Sequence, residues 1–361
     1  MKVLYITNIP SPYRVDFFNE LGKYCDLTVI FERKMAGDRE ETWQSFDFQS
    51  FQYLFLNGKR VGTEASFCPE IIRYLNKQWD WIIFGGYSSP TCIMAIEYLR
   101  WRRIPFCLNA DGGIIKQDKR IVGWLKKHLI GSASSWLSTG DKTSQYLCHY
   151  GAKREKIYNY PFTSMGKADL YFPSEEEKKR KKRELHMGEG NVIATVGQFI
   201  PRKGFDLLIE ASKKMKCQAD IYIIGGNAQT QYESSGHIHF VGFLNKAHLK
   251  DYYIAADVFA FPTREDIWGL VLNEAISYGL PVVSSTKAVA SYELIREGEN
   301  GFLVDPENTG KMADLLDELL SDDEKRRDMG RASFEISKEY TIEEMAQRHL
   351  EIGRLLTECA G

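Results

Sequence analysis

Phe261-Pro-Thr-Arg-Glu-Asp-Ile-Trp-Gly-Leu-Val-Leu-Asn-Glu-Ala-Ile-Ser-Tyr-Gly-Leu-Pro-Val-Val-Ser284 reads as the end of a strand, a polar loop, a helix, a stop and a second strand. The apolar run 258–261, bounded by Pro262, fits a buried parallel strand. Residues 263–266 form the loop. Asp266 stands where an N-cap would help a helix opening near Trp268. Gly279 is placed for the C′ position, with Pro281 just beyond it. Residues 281–284 then read as the next strand.

Chemistry follows from that order. The first N–H groups of a helix lack intrahelical partners, and the helix dipole adds partial positive charge there. A helix start that follows a parallel strand is an anion site, and Gly269 lets a phosphate come close to the backbone. Two carboxylates flank it: Asp266 before the helix, and Glu274 inside it, four residues after Leu270 and on the same face. Taken alone, the pattern reads first as a helix cap and a solvated helix acid. Its second reading is a pair of carboxylates accepting hydrogen bonds from sugar or ribose hydroxyls.

Asp266-x7-Glu274, with Trp268, Gly269 and Leu270 between and Ala-Ile-Ser-Tyr-Gly-Leu-Pro-Val after, resembles the E-x7-E signature of retaining nucleotide-sugar glycosyltransferases. These belong to the large family 4, whose fold is GT-B. The family's first acid is usually Glu; here it is Asp266, one methylene shorter. Residues 198–204, Gln-Phe-Ile-Pro-Arg-Lys-Gly, resemble the family's Gly-Arg-x4-Lys-Gly loop, whose Arg and Lys hold the donor diphosphate. Lys203 and Gly204 match. Gln198 stands where Arg is usual, with Arg202 as the neighbouring cation. Two adjacent cations in a strand-to-helix loop independently suit a diphosphate. Residues 239–244 resemble the family's Val-x-Gly-Phe segment, which places Gly242 and Phe243 at the nucleobase; on their own they read as a core strand and a glycine turn.

The chain's 361 residues suffice for two ordinary domains. A hydrophobic share of 43% and a charged share of 27% are those of a soluble globular protein. A formal net charge of −2 argues against a general nucleic-acid binder. The seven cysteines are scattered and odd in number, which fits a reduced cytosolic protein with neither a disulfide framework nor a zinc pattern. The first residues open like a strand rather than a signal peptide, and no run of eighteen apolar residues exists to span a membrane.

From the N-terminus, residues 3–7, 27–31, 80–84, 105–109, 136–138 and 157–161 read as strands. Helices over 91–102, 119–130 and 143–150 alternate with them, so the sheet is parallel with right-handed crossovers. The loop after the first strand has no G-x-G-x-x-G, which excludes a dinucleotide fingerprint there. Arg14 reads equally as an acceptor or phosphate contact and as a surface arginine. Residues 32–65 are mixed and polar, and read as excursions from the sheet. The strand ending in Asn109-Ala-Asp-Gly-Gly113 carries an acid at its C-terminal end. Family relatives often have a histidine near this point, beside the reacting sugar, and Asp111 is the nearest candidate; otherwise it is a turn aspartate. The stretch 119–130 interleaves Ile121, Val122, Trp124 and Leu125 with basic residues. It reads first as a surface helix and second as a membrane-surface face.

The charge run 174–184 reads as a solvated helix just past a linker. Beyond it, strands at 192–197, 221–225, 239–244, 258–261, 281–284 and 302–304 alternate with helices. These include 206–215, 247–256, 291–296, 309–320 and 323–340, with a last helix over 341–359. The expected architecture is α/β: two Rossmann-like domains facing across a cleft, residues 1–168 on the acceptor side and 169–340 binding the nucleotide-sugar. The resemblance implies that the helix 341–361 crosses back to the first domain.

The resemblance implies an enzyme, a retaining hexosyltransferase. It moves sugar from a nucleotide-sugar, UDP-sugar favoured, to a hydroxyl of a saccharide or lipid-linked saccharide in surface polysaccharide or glycoconjugate synthesis. Lys203, Arg202 and the helix start at Gly269 would stabilise the leaving diphosphate. Glu274 would bind the ribose and Asp266 the sugar. Since no D-x-D motif stands at the expected place, neither a metal nor another cofactor is expected. The expected location is cytoplasmic, with peripheral contact at the inner membrane face as an extension. Two rivals share the pattern. An epimerase would turn over donor with no acceptor, and a non-catalytic module would bind donor only.

Overall fold

The computed structural model describes residues 1–34, 47–61, 65–226 and 236–358. Parts of the polar stretch 32–65, and Cys359, lie outside the described residues. The described residues form two compact units, Met1–Ser164 with Thr341–Gly361, and Met165–Tyr340.

Unit 1 is built on a parallel sheet. Its strands are β1 (Lys2–Thr7), β2 (Asp26–Phe31), β3 (Gln52–Phe55), β6 (Trp81–Phe84), β7 (Cys107–Ala110), β8 (Ser135–Ser138) and β9 (Ile157–Asn159), in the order β3-β2-β1-β6-β7-β8-β9. The central strands are apolar on both faces, because helices cover both faces of such a sheet. Strand β3 was not anticipated. It pairs with β2 from Thr28↔Gln52 to Phe31↔Phe55 at the sheet edge. A hairpin of β4 (Lys59–Val61) and β5 (Ala65–Phe67) follows.

The helices of unit 1 are α1 (Pro12–Leu21), α2 (Pro90–Arg102), α3 (Arg120–Ile130), α4 (Asp141–His149) and the terminal α12 (Ile342–Glu358). Local chemistry sets their starts. Ser89 Oγ accepts from the Cys92 N–H at 3.0 Å, with Pro90 at the first position of α2. Arg14, expected in a loop, is the third residue of α1 and is buried.

Unit 2 holds a second parallel sheet, β10 (Asn191–Val196), β11 (Ala219–Ile224), β12 (Ile238–Val241), β13 (Val258–Phe261), β14 (Val282–Ser285) and β15 (Gly301–Val304), in the order β12-β11-β10-β13-β14-β15. Its helices are α5 (Glu175–Glu184), α6 (Phe205–Ser212), α7 (Lys246–Ala255), α8 (Leu270–Ser277), α9 (Ser291–Leu294), α10 (Thr309–Ser321) and α11 (Asp323–Ser337). The charge run is α5, opened by a capping box between Ser174 and Glu177. It is not wholly solvated. Lys182 is buried, and its ammonium meets Asp257 at 2.7 Å and the Gly190 carbonyl at 2.9 Å. An ion pair taken out of water persists only with such extra hydrogen bonds.

The deciding stretch differs from expectation at its start. Helix α8 opens at Leu270, not near Trp268, and its N-cap is Gly269 at φ +110°. Asp266 is no cap: its backbone N–H donates to the Lys287 carbonyl at 3.1 Å and its carbonyl accepts from Val289 at 3.2 Å. The stop is as read. Gly279 has φ +68°, its N–H donates to Ile276, and the Leu280 N–H donates to Ala275, which is a complete Schellman closure.

The chain ends within unit 1. Helix α12 packs on α1, where the His349 ring lies 4.7 Å from Phe17 and 4.6 Å from Tyr160. His349 is fully buried and its Nδ1 donates to the Met345 carbonyl at 2.8 Å. Burial, with the charge of Arg14 adding, pushes its pKa down from 6.5 to about 3. The folded protein therefore keeps His349 neutral where the unfolded chain takes up a proton. Stability from this group is intact above pH 6.5 and is lost as pH falls from there toward 3, at about 1.4 kcal/mol per pH unit. Urea unfolding of His349→Phe should show an acid limb flatter by that slope between pH 6 and about 4. Parallel limbs for the two proteins would show that His349 is not held neutral.

Candidate functional site

The residues expected at a donor site gather where strands β10 and β13 end. After β10 the chain makes a short 3-10 turn, Pro201–Lys203, and then Gly204 at φ +68°. That left-handed backbone is open to glycine at little cost. A methyl group on Gly204 would lie 2.1 Å from the Pro262 carbonyl oxygen, so only glycine lets the two loops touch. The contact is reinforced. The Arg264 N–H donates to the Arg202 carbonyl at 2.9 Å, and Thr263 Oγ1 donates to the same oxygen at 3.0 Å. Arg264 also forks onto Asp206 at 2.7 and 2.6 Å and reaches Glu307 at 2.9 Å. This bidentate bond holds the Asp206 carboxyl below its usual range. None of these ties carries a sequence signature, since their partners are 43 to 62 residues apart.

On this platform Lys203 and Asp266 meet. The Lys203 ammonium lies 2.5 Å from Asp266 Oδ2, with both side chains mostly buried. Its stem runs along Gly197, and its charge sits 5.6 Å from the centre of the Phe261 ring. A methyl group on Gly269 would lie 2.9 Å from that same ring. Phe261 is thus the shared wall between the lysine and the start of α8. The ammonium and the residue that caps α8 approach the same ring, and unpaired helix-start amides near a cation suit an anion.

Arg202 is more exposed. Its guanidinium donates to the Glu265 carbonyl at 2.8 Å and stands 3.9 Å from Asp266. Gln198 is exposed at the head of the same loop. Trp268 is buried and donates through Nε1 to Asn273 Oδ1 at 2.9 Å, which fixes the turn that leads into Leu270.

Glu274 lies one turn into α8 and accepts from the Tyr253 hydroxyl at 2.8 Å. Burial, with Glu274 adding, raises the Tyr253 phenol well above its ordinary range, so it stays a donor. Tyr253 in turn stacks on Tyr278, ring centres 5.4 Å apart. The carboxylate is anchored, not free to wander on a solvated face. Gly242 and the exposed Phe243 follow β12, and a methyl group on Gly242 would sit 3.7 Å from the Gly226 carbonyl that follows β11.

Asp111 belongs to unit 1 and to a second cluster, at the ends of β1 and β7. Arg14 donates to Asp111 Oδ2 and, at 2.9 Å, to the Tyr5 hydroxyl. Asp111 Oδ1 accepts from Asn109 Nδ2 at 2.7 Å and from the Tyr160 hydroxyl at 2.9 Å. Arg14 is 3% exposed, so it is not the surface arginine considered for it; it anchors Asp111. The sequence held no hint of this pair, whose members are 97 residues apart.

Residues 176–335 match the family described as Glycosyl transferases group 1. The match falls within unit 2. Among curated relatives, the chain is similar to D-inositol 3-phosphate glycosyltransferase of Mycobacterium leprae, 28% identical over 58% of this chain and 51% of the relative. It is also similar to GDP-mannose-dependent alpha-(1-6)-phosphatidylinositol monomannoside mannosyltransferase of Mycobacterium tuberculosis, 27% identical over 59% of this chain and 62% of the relative. The chain thus spans about half the length of the curated relatives it matches. Solved structures share the fold across its length. HepE of Anabaena, in complex with UDP, has a TM-score of 0.76 at 16% identity, covering 100% of this chain and 99% of that one. A glycosyltransferase of Rickettsia africae has a TM-score of 0.77 at 14% identity, covering 98% of each. The fold is GT-B, with two Rossmann-like units.

The loop contact in unit 2 is directly testable. Gly204→Ala forces a side chain into a left-handed backbone and against Pro262. It should cost about 2 kcal/mol or more in chemical denaturation. A change within about 0.5 kcal/mol would show that the 197–204 loop does not rest on Pro262.

Proposed function

We propose that the protein is a retaining glycosyltransferase of family 4 that moves a sugar from a nucleotide-sugar to a hydroxyl of a saccharide or lipid-linked saccharide. The observation that carries this reading is the convergence of Lys203 and the start of α8 on Phe261, with the anchored Glu274 one turn further on. The group 1 match over 176–335 supports it.

In this reading the donor diphosphate takes the place beside Lys203, Arg202 and the first amides of α8. Gln198, Trp268, Gly269 and Leu270 shape that place. Glu274 accepts from the ribose hydroxyls, Asp266 from the donor sugar, and Gly242 and Phe243 meet the nucleobase. The bond between the anomeric carbon and the diphosphate oxygen breaks with its electron pair going to the phosphate. Fixed positive charge beside that oxygen stabilises what develops there. The acceptor oxygen bonds to the anomeric carbon on the face the diphosphate leaves, and its proton passes to the departing phosphate oxygen. No protein nucleophile is assigned. Asp111, held by Arg14, Asn109 and Tyr160, receives an acceptor hydroxyl in unit 1.

A UDP-sugar is the favoured donor, and HepE binds UDP-glucose in a related fold. The mannosyltransferase relative uses GDP-mannose, so that donor belongs in the same panel. The first test is release of nucleotide from UDP-glucose, UDP-galactose, UDP-N-acetylglucosamine and GDP-mannose, with and without added saccharide and with a chelator. Acceptor-dependent, chelator-resistant release fits the proposal. Sugar interconversion without release identifies an epimerase, and binding without turnover identifies a non-catalytic module.

Lys203→Ala removes a charge-assisted contact worth about 1.5–3 kcal/mol. Transfer should fall roughly ten- to a hundredfold, measured where circular dichroism shows the variant folded. Wild-type turnover at limiting and saturating donor would remove Lys203 from the diphosphate site.

Glu274→Gln keeps the shape and loses the charge-assisted bonds to hydroxyls. Calorimetry should show nucleotide affinity reduced about tenfold, the loss of one such bond. Unchanged affinity would mean that Glu274 serves Tyr253 alone.

A further inference from the structure

Helix α3 buries little of its own apolar content. Leu129 and Ile130 are buried, whereas Ile121 is 79% and Trp124 63% exposed, and Val122 is exposed beside them. Ile115, just before the helix, is exposed as well. A surface helix normally turns such residues inward. Here the large apolar side chains stand outward, with exposed Lys119, Arg120 and Lys127 around them.

The patch continues onto α2. His128 of α3 lies 2.7 Å from both Glu97 and Arg100 of α2, and its ring stacks on Trp124 at 5.3 Å. Next to Arg100 is Trp101, 75% exposed, with the Arg102 guanidinium 5.6 Å from its ring centre. Arg103 follows, also exposed. The acids nearby are already matched: Glu97 by Arg100 and His128, and Asp118 by Lys126 at 2.8 Å. A chain of formal charge −2 thus presents a local surface where cations outnumber acids and alternate with two tryptophans and an isoleucine.

We propose that this face of α3, with the end of α2, docks on a bilayer surface carrying anionic lipid headgroups. Apolar side chains enter the headgroup boundary and lysines and arginines meet the phosphates, as for a helix lying in the interface plane. Tryptophan suits this boundary because its ring is apolar and its N–H is polar. The chemistry fits a lipid surface better than a protein partner, since interfaces between proteins are depleted in lysine. The proposal stands independently of the transfer reaction.

The test is sedimentation of the full chain with phosphatidylcholine vesicles, with and without phosphatidylglycerol. Wild type should pellet with the anionic vesicles, less so in high salt, and stay in solution with neutral ones. Ile121→Ser with Trp124→Ser should lower the bound fraction at least tenfold, as should Lys119→Glu with Lys127→Glu. Leu355→Ser, at an exposed apolar residue on α12, should change nothing. Binding that ignores lipid charge, binding that survives both double variants, or no binding by wild type overturns the proposal. So does a concentration-dependent dimer in sedimentation velocity that the same variants dissolve, because the face is then an interface between copies.

Discussion

In an all-parallel sheet every strand ends at the same edge, so every strand-to-helix loop is delivered to one rim. Both units obey this constraint, and their chemistry lies on those rims. In unit 2 the loops after β10 and β13 touch because Gly204 has no side chain to hold Pro262 away. That approach places Lys203, Asp266 and the start of α8 around Phe261. In unit 1 the same rim joins Tyr5, Arg14, Asn109 and Asp111 from β1, α1 and the end of β7. Neither cluster needs a special backbone beyond one or two glycines.

The two cations of the 198–204 loop are not equivalent. Lys203 is packed along Gly197 and bonded to Asp266, and it is held before any ligand arrives. Arg202 is half exposed, hydrogen-bonded to one carbonyl and only 3.9 Å from Asp266. A prepaid geometry loses less on binding than a mobile one. Asp266 steadies Lys203. Its short side chain suits a partner already at bonding distance.

Much of this was legible in the chain. Alternating apolar runs and helical spacing gave two parallel sheets, because buried strands are continuous apolar segments and helices repeat near every third or fourth residue. The Schellman stop at Gly279 was visible from Gly279 and Pro281. The start of α8 was not: Asp266 looks like a cap by residue type, but its side chain is taken by a lysine 63 residues away. Strand β3 escaped notice because a short edge strand beside a polar stretch has no distinctive pattern. Lys182 looked solvated because composition cannot show that Asp257 lies beneath it. The pairing of Arg14 with Asp111 failed for the same reason: long-range partners are set by topology, not by local spacing.

Helix α12 gives the chain an order of assembly. Unit 1 is left at Ser164 and rejoined at Thr341, so all of unit 2 lies between its parts in sequence. As the chain is synthesised, α1 emerges before unit 2, and the helix that packs on Phe17 emerges after it. Unit 1 is therefore begun before unit 2 and completed after it. Until then, the α1 surface that receives His349 stays uncovered, while strands β10 to β15 of unit 2 have already been made.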